Sequence, residues 1–302
     1  MIRKKSYFKA SSSDRIFDGI NYLVMALVVV VTLYPFLNVL AISLNDSTDT
    51  VRGGIYLWPR SLSFANFKAV LTFDGLLVGL KISILRTIVG TLVGIMSAAL
   101  IAFTLSRKDF QGRKFVSIFL ALTMYFSGGL IPVYILMRDL GLMNTFAVYI
   151  LPGLVSAFNV FVIRSFMDNL PPELQESAKL DGANDFTIFW RIILPLCKPV
   201  LATIALFLAV GQWNSWFDTY LYNGSSEHLT TLQFELMKVL QSTTAGTNQD
   251  AHSQSMNQLM NTVSPESVKM AITIIVTVPI VAIYPFLQRY FVKGMTLGAV
   301  KS

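Results

Sequence analysis

Six stretches of the chain carry no Asp, Glu, Lys or Arg: Gly19–Asn45 (27 residues), Thr87–Ser106 (20), Phe115–Met137 (23), Leu140–Ile163 (24), Pro199–Phe217 (19) and Met270–Gln288 (19). Each is close to the ~20 residues that a helix needs to cross the hydrocarbon of a bilayer, where every backbone group must be bonded within the segment. The pattern predicts an all-α integral membrane chain of six transmembrane helices. Pro35, Pro152, Pro279 and Pro285 fall in or near spans, which a bundle tolerates when neighbouring groups satisfy the freed carbonyls. The first run is much longer than a signal's apolar stretch and lacks a clear small-x-small exit, so it is expected to stay as a helix. Outside the spans, Leu232, Leu236 and Leu240 recur every fourth residue, which predicts a short helix on the outer surface within an external loop over 221–267.

Composition agrees with the pattern: 54% of residues are hydrophobic and 14% charged. The net charge of +7 sits in short clusters, not on a face that could follow nucleic acid, so it reads as membrane orientation. Counted on alternate loops, 16 Lys and Arg fall on the side of the termini and 6 on the other, with Lys81 and Arg86 at the outer start of the second span. Both termini, including the tail over 1–15, are therefore expected in the cytoplasm. Arg86 lies about a turn inside the bilayer and is expected to snorkel to the interface. A lone cysteine, Cys197, and two histidines, His228 and His252, offer no metal cage, and no metal site is expected. The second span's Gly90, Gly94, Ala98 and Ala102, four apart, suit close helix packing.

The inner segment over 168–198 is too long and patterned for a connector. Asp168 or Asn169 is a candidate cap; Pro171 and Pro172 favour a helix start, and Glu173 and Glu176 place acid in its first turns. Gly182 supplies a positive-φ stop, after which a second short helix is expected from Thr187, broken by Pro195. Two short helices at a sharp angle form a knob that another protein could grip. Glu176, Ser177, Ala178, Gly182, Ile192, Leu194 and Pro195, at their spacing, resemble the EAA loop of permease subunits of binding-protein-dependent ABC importers, with Ser177 where alanine is usual. The resemblance extends over nearly the whole chain through SRKDFQGRK (106–114), YFSGGLIPVYILMRDLGLMN (125–144), VGQWNSWF (210–217) and YPFLQRYFVKGMTLGAVK (284–301). It narrows to carbohydrate permeases similar to the second subunit of the maltose permease, and to the lipoprotein-permease and complex-polysaccharide-uptake subgroup.

That resemblance implies a MetI-like ABC permease fold, with a core over about 80–290 inside a six-helix domain over 16–302, in the bacterial cell membrane. It implies four partners beside the lipid: a second homologous permease, two cytoplasmic ATPase subunits and an external solute-binding lipoprotein. ATP and Mg would be used by the ATPases, and this chain would bind no cofactor. By the same resemblance, Glu176, Ser177, Ala178, Asp181, Gly182, Ala183, Ile192, Leu194 and Pro195 would couple to the ATPase, and the segment from Gly294 to Ser302 would reach it. Independently of family, the chain has no GxxxxGK[ST] phosphate cradle, so the energy must come from a partner.

Candidates for a substrate path are Tyr125 and Ser127 in span three, Asn159 in span four, and Gln212, Trp213, Asn214 and Trp216 in span five. Aromatic faces beside amides and hydroxyls suit sugars, yet Trp213 and Asn214 serve equally as helix glue or as an interfacial belt. An ion-coupled secondary transporter would favour acidic groups within spans, and a membrane-embedded glycan-processing enzyme would need carboxylates or a metal there; the six runs hold neither.

Overall fold

The computed structural model describes residues 12–242 and 263–299, with side chains over 14–73, 75–241 and 263–283. The basic cluster Arg3, Lys4, Lys5 and Lys9, the polar stretch from Thr243 containing His252, and Lys301 at the end of the proposed C-terminal contact lie outside the described residues. Among the described residues the chain is helical and has no strand; one isolated bridge joins Asn45 and Leu62.

Three helices are long and apolar enough to span a bilayer alone: α1 (Ser12–Ser43), α4 (Asp74–Ser106) and a final helix Pro265–Ala299. Three further bent pairs bring the possible spans to six. Span three is broken into α5 (Arg113–Tyr125) and α6 (Leu130–Asp139), bent by 117° at a four-residue gap. Gly128 and Gly129, the latter with φ +85°, explain the gap: glycine weakens the helix and permits a backbone turn that side chains resist. Span four corrects the expectation of one helix from Leu140. Gly141 and Asn144 both take positive φ, two short turns follow over 146–153, and only α7 (Ala157–Met167) is regular, capped by the Ser156 hydroxyl. Beyond it lie α8 (Glu173–Leu180), α9 (Asp185–Leu196), α10 (Lys198–Asn214), α11 (Phe217–Tyr222), α12 (Leu232–Ser242) and α13, the final helix named above.

The described residues divide into two compact units, 12–70 with 263–274, and 71–242 with 275–299. In the first, α1 exposes its side chains from Ile16 to Leu37, as a helix facing lipid does. The outer loop is ordered around buried Asn45, whose amide nitrogen bonds Asp49 and Thr50 and whose carbonyl oxygen accepts from the Ser61 N–H at 2.9 Å. Asp46 caps the short helix α2 (Ser47–Thr50), and Asn66, in α3 (Ala65–Leu71), ties back to the carbonyls of Ser43 and Asn45.

In the second unit, one apolar core joins α4, α7, α9 and α10, with Ala98, Ala99, Ala102, Val160, Ile163, Ile188, Phe189 and Ile204 at its centre. The small residues of α4 do what their spacing predicts. A Cβ at Gly90 would lie 2.7 Å from the Gln212 side-chain nitrogen and one at Gly94 3.3 Å from Leu208, so α4 and α10 approach where glycine leaves room. Helix α12 differs from expectation. It does not lie free on the outer surface: Leu232, Phe234, Leu236 and Val239 are buried, and the Leu232 N–H donates to the Ser83 hydroxyl on α4 at 2.9 Å.

Candidate functional site

The two-helix knob forms where the spacing places it, with a stop built from backbone hydrogen bonds. At the end of α8 the N–H of Ala183 bonds the carbonyl of Ala178 (2.9 Å) and the N–H of Gly182 bonds that of Lys179 (3.0 Å). This paired closure needs a left-handed residue, and Gly182 takes φ +81°. The Asn184 side chain then caps α9 by accepting from the Thr187 N–H at 2.8 Å.

Two details depart from the sequence reading. Asp168 does not cap α8, where Pro172 holds the cap position; instead it pairs with Arg164 (3.4 Å) and Arg113 (3.6 Å). Nor does Pro195 break the second helix. A π-helical turn over Phe189–Ile193 precedes the proline, the chain passes Pro195 in helical form, and the break comes at Cys197, where α10 departs at 80°. Widening the turn is a way to carry a helix past a residue with no N–H.

The coupling candidates fall into two groups. Ala178, Ala183, Ile192 and Leu194 pack on the apolar core, together with fully buried Ile188, Phe189 and Ile193. Glu176, Ser177, Asp181, Gly182 and Pro195 are exposed. Beside them Leu180 is 89% exposed and Phe186 68%, and Trp190 is also exposed, an apolar surface outside the predicted spans. The first group anchors the knob and the second leaves a face available.

A brace that the sequence reading missed holds this knob from the side. Arg107, at the end of α4, clamps Asp109 through two bonds of 2.9 and 2.5 Å and also pairs with Asp185 at the start of α9; Asp109 in turn pairs with Lys179 of α8 at 3.4 Å. The hydrogen bonds from Arg107, reinforced by its charge and by Lys179, hold the Asp109 carboxyl well below the usual carboxylate range. Arg107 is shifted upward, first by its bond to Asp109 and then by Asp185. The opposite charges of 107–114 and 179–185 were legible, but nothing in spacing alone pairs segments some 70 residues apart.

The path candidates do not assemble as one group. Trp213 is buried, its indole N–H donating to the Val276 carbonyl on α13 at 3.0 Å, so it joins helices. Gln212 faces α4, where its oxygen accepts from Arg86. Asn159 is buried on α7 and Trp216 is half-buried, edge-on to Phe217. Tyr125, 84% exposed, Ser127 and Asn214 remain open. Arg86 does not snorkel: it is 2% exposed and paired with Asp218, one residue beyond the neutral run.

Broken apolar spans around a small-residue contact, with an anchored two-helix knob outside them, define a multi-pass membrane permease. The chain belongs to the binding-protein-dependent transport system inner membrane component family, whose model matches residues 7–297. It is 38% identical over 293 residues to protein LplC of Bacillus subtilis (strain 168), covering 96% of this chain and 97% of the relative. It is 34% identical over 290 residues to the polygalacturonan/rhamnogalacturonan transport system permease protein YtcP of the same organism, covering 95% and 99%. A crystal structure of a bacterial ABC transporter involved in the import of the acidic polysaccharide alginate contains a chain of the same fold, with a TM-score of 0.83, 29% identity, and coverage of 95% of this chain and 100% of that one. The chain is therefore a transport subunit and not an enzyme.

Proposed function

We propose that this chain pairs with a second permease to form the path of an ABC importer for an oligosaccharide, with pieces of acidic plant or algal polysaccharide as the favoured class. The relatives named for polygalacturonan, rhamnogalacturonan and alginate support that class. An external lipoprotein delivers the sugar, and two cytoplasmic ATPases, which alone use ATP and Mg, grip the knob formed by α8 and α9; both termini are cytoplasmic. The observation that carries the reading is the exposed apolar and acidic face of that knob, with Leu180, Phe186, Glu176 and Asp181 presented outward on a scaffold anchored in the core. Apolar side chains left open beyond the spans suit a protein cleft. On the membrane side, Tyr125, Ser127 and Asn214 are the residues of the path, while Gln212 and Trp213 join helices. Tyr125 stands at the broken end of α5, where irregular backbone requires protein or a water-filled cavity beside it.

The test is co-expression of this chain with a second permease, an ATPase and the lipoprotein, followed by purification and reconstitution. ATP hydrolysis stimulated by lipoprotein loaded with oligogalacturonate or alginate oligosaccharide, together with uptake of the same sugar, is expected. A complex that forms without an ATPase, or whose hydrolysis ignores every loaded lipoprotein, would overturn the reading.

A further inference from the structure

Arg86 stands on α4 with every N–H of its guanidinium engaged. Nε and Nη2 donate to the Gln212 side-chain oxygen at 3.1 and 3.0 Å; Nη2 and Nη1 donate to the two Asp218 oxygens at 2.6 and 3.2 Å; Nη1 also reaches the Ser215 carbonyl at 3.4 Å. The group lies 4.4 Å from the centre of the Tyr149 ring. An arginine in this condition has no donor left for a passing ligand. What it holds is a break in the chain: α10 ends at Asn214, Ser215 is extended, and α11 begins at Phe217. A helix end that stops inside a bundle leaves carbonyls and N–H groups without helical partners. Arg86 supplies a donor to the Ser215 carbonyl, and Asp218 accepts from the Ser215 hydroxyl and the Thr219 N–H, both at 2.9 Å. One turn along α4, Gly90 leaves the space that Gln212 occupies.

The other end of α10 is Lys198, next to the Cys197 break that leads into the knob. One 17-residue helix, roughly 25 Å long at 1.5 Å per residue, thus runs from the knob to the arginine. If a push on the knob turns this helix, the effect at the far end depends on whether that end is fixed to a neighbour. We propose that Arg86 is a positioning residue for transport: with Asp218 and Gln212 it clamps the outer end of α10 and the start of α11 to α4, so that these helices move as one body when the ATPases close. The inference rests on the reading of the chain as an ATPase-driven permease. Lysine cannot replace the fork, since it offers three donors from a single point and no bidentate geometry.

The test uses the assembled transporter with spin labels at two exposed positions, Ile88 on α4 and Tyr220 on α11. Their distance is measured without nucleotide and after trapping with ATP and vanadate, and lipoprotein-stimulated hydrolysis is measured alongside basal hydrolysis. In the wild type the Ile88–Tyr220 distance should be the same in both states. Arg86→Lys and Asp218→Asn should let it shift between states and reduce lipoprotein stimulation by about tenfold, within the range of coupling between distant sites. Basal hydrolysis and membrane abundance should stay near wild type, a split that simple loss of fold would not give. Arg86→Asp combined with Asp218→Arg should restore both readouts in part. A wild-type distance that changes on trapping, or an Arg86→Lys transporter with unchanged distance and stimulation, would overturn the clamp. Failure of the wild-type chain to assemble with any ATPase would count against the functional reading instead.

Discussion

Gly182 allows the coupling role of the knob to be tested by degrees. Its φ is +81° and a Cβ built there meets nothing within 4 Å, so substitution is opposed by backbone torsion and not by crowding. An L-residue in the left-handed region costs about 1–2 kcal/mol, and asparagine, whose side chain tolerates that region, costs less. Asn144 already adopts φ +54° in this chain. A penalty of one to two kcal/mol is about a 5–30-fold shift in the equilibrium of the turn. Proline is excluded outright, because its φ is fixed near −65° and it would remove the N–H that bonds Lys179. In the reconstituted importer, uptake and lipoprotein-stimulated hydrolysis should therefore fall in the order Gly182→Asn, Gly182→Ala, Gly182→Pro, from near wild type through several-fold loss to none. The spans do not depend on the turn, so membrane abundance should hold throughout. If the alanine and proline variants kept wild-type stimulation, the turn would not transmit the ATPase stroke and the assignment of the knob would fall.

Other parts of the reading can be checked as directly. Cysteine at exposed Ser225 should react with an impermeant thiol reagent on intact cells, and cysteine at exposed Gln111 only after lysis, with little background because Cys197 is buried; the reverse pattern would invert the orientation. Arg107→Ala and Asp109→Asn should each lower stimulated hydrolysis several-fold, and the two together should cost little more than either alone, as the double-mutant cycle requires of one shared brace. Because the Asp109 carboxyl is depressed, the brace's contribution is complete above the ordinary carboxylate pKa near ~4 and is lost only as pH falls through the lower folded value. Coupling measured between about pH 6 and 8 should thus show no titration that Asp109→Asn removes. Trp213→Phe, which removes the indole donor to the Val276 carbonyl, should lower thermal stability by about 0.5–1.5 kcal/mol while uptake per assembled complex stays near wild type; a selective loss of uptake would return Trp213 to the path.

Apolar runs and the positive-φ signal at Gly182 are one-dimensional quantities, and the described helices follow them except where Gly129, Gly141 and Asn144 interrupt spans three and four. Features depending on which face of a helix meets which neighbour were not legible. Arg86 read as a snorkelling cation because its partner Asp218 is 132 residues away and just outside a neutral run. Trp213 carries the same signal as a sugar-stacking ring or as a helix joint, and only the Val276 carbonyl distinguishes them. The leucine repeat of α12 announced an apolar stripe correctly, but the surface that covers it is α4. Pro195 shows the limit of a local rule: proline does disfavour the helix, yet a wider turn upstream absorbs it.

The gap between α5 and α6 bears on how a cell keeps its importer subunits in proportion. Between Phe126 and Gly129 the helical ladder is interrupted within a predicted span: the Phe126 N–H still bonds the Leu122 carbonyl and the Gly129 N–H meets the Ser127 hydroxyl, but the N–H groups of Ser127 and Gly128 have no backbone partner among the described residues, and apolar Phe126, Leu130 and Ile131 are exposed around them. Lipid cannot satisfy those backbone groups. A copy without a companion would therefore carry a fault that an assembled complex would not, and would be open to the proteases that survey the bilayer. On this reading surplus synthesis would be removed by turnover, and the pool of this chain would follow the supply of whichever protein covers the gap.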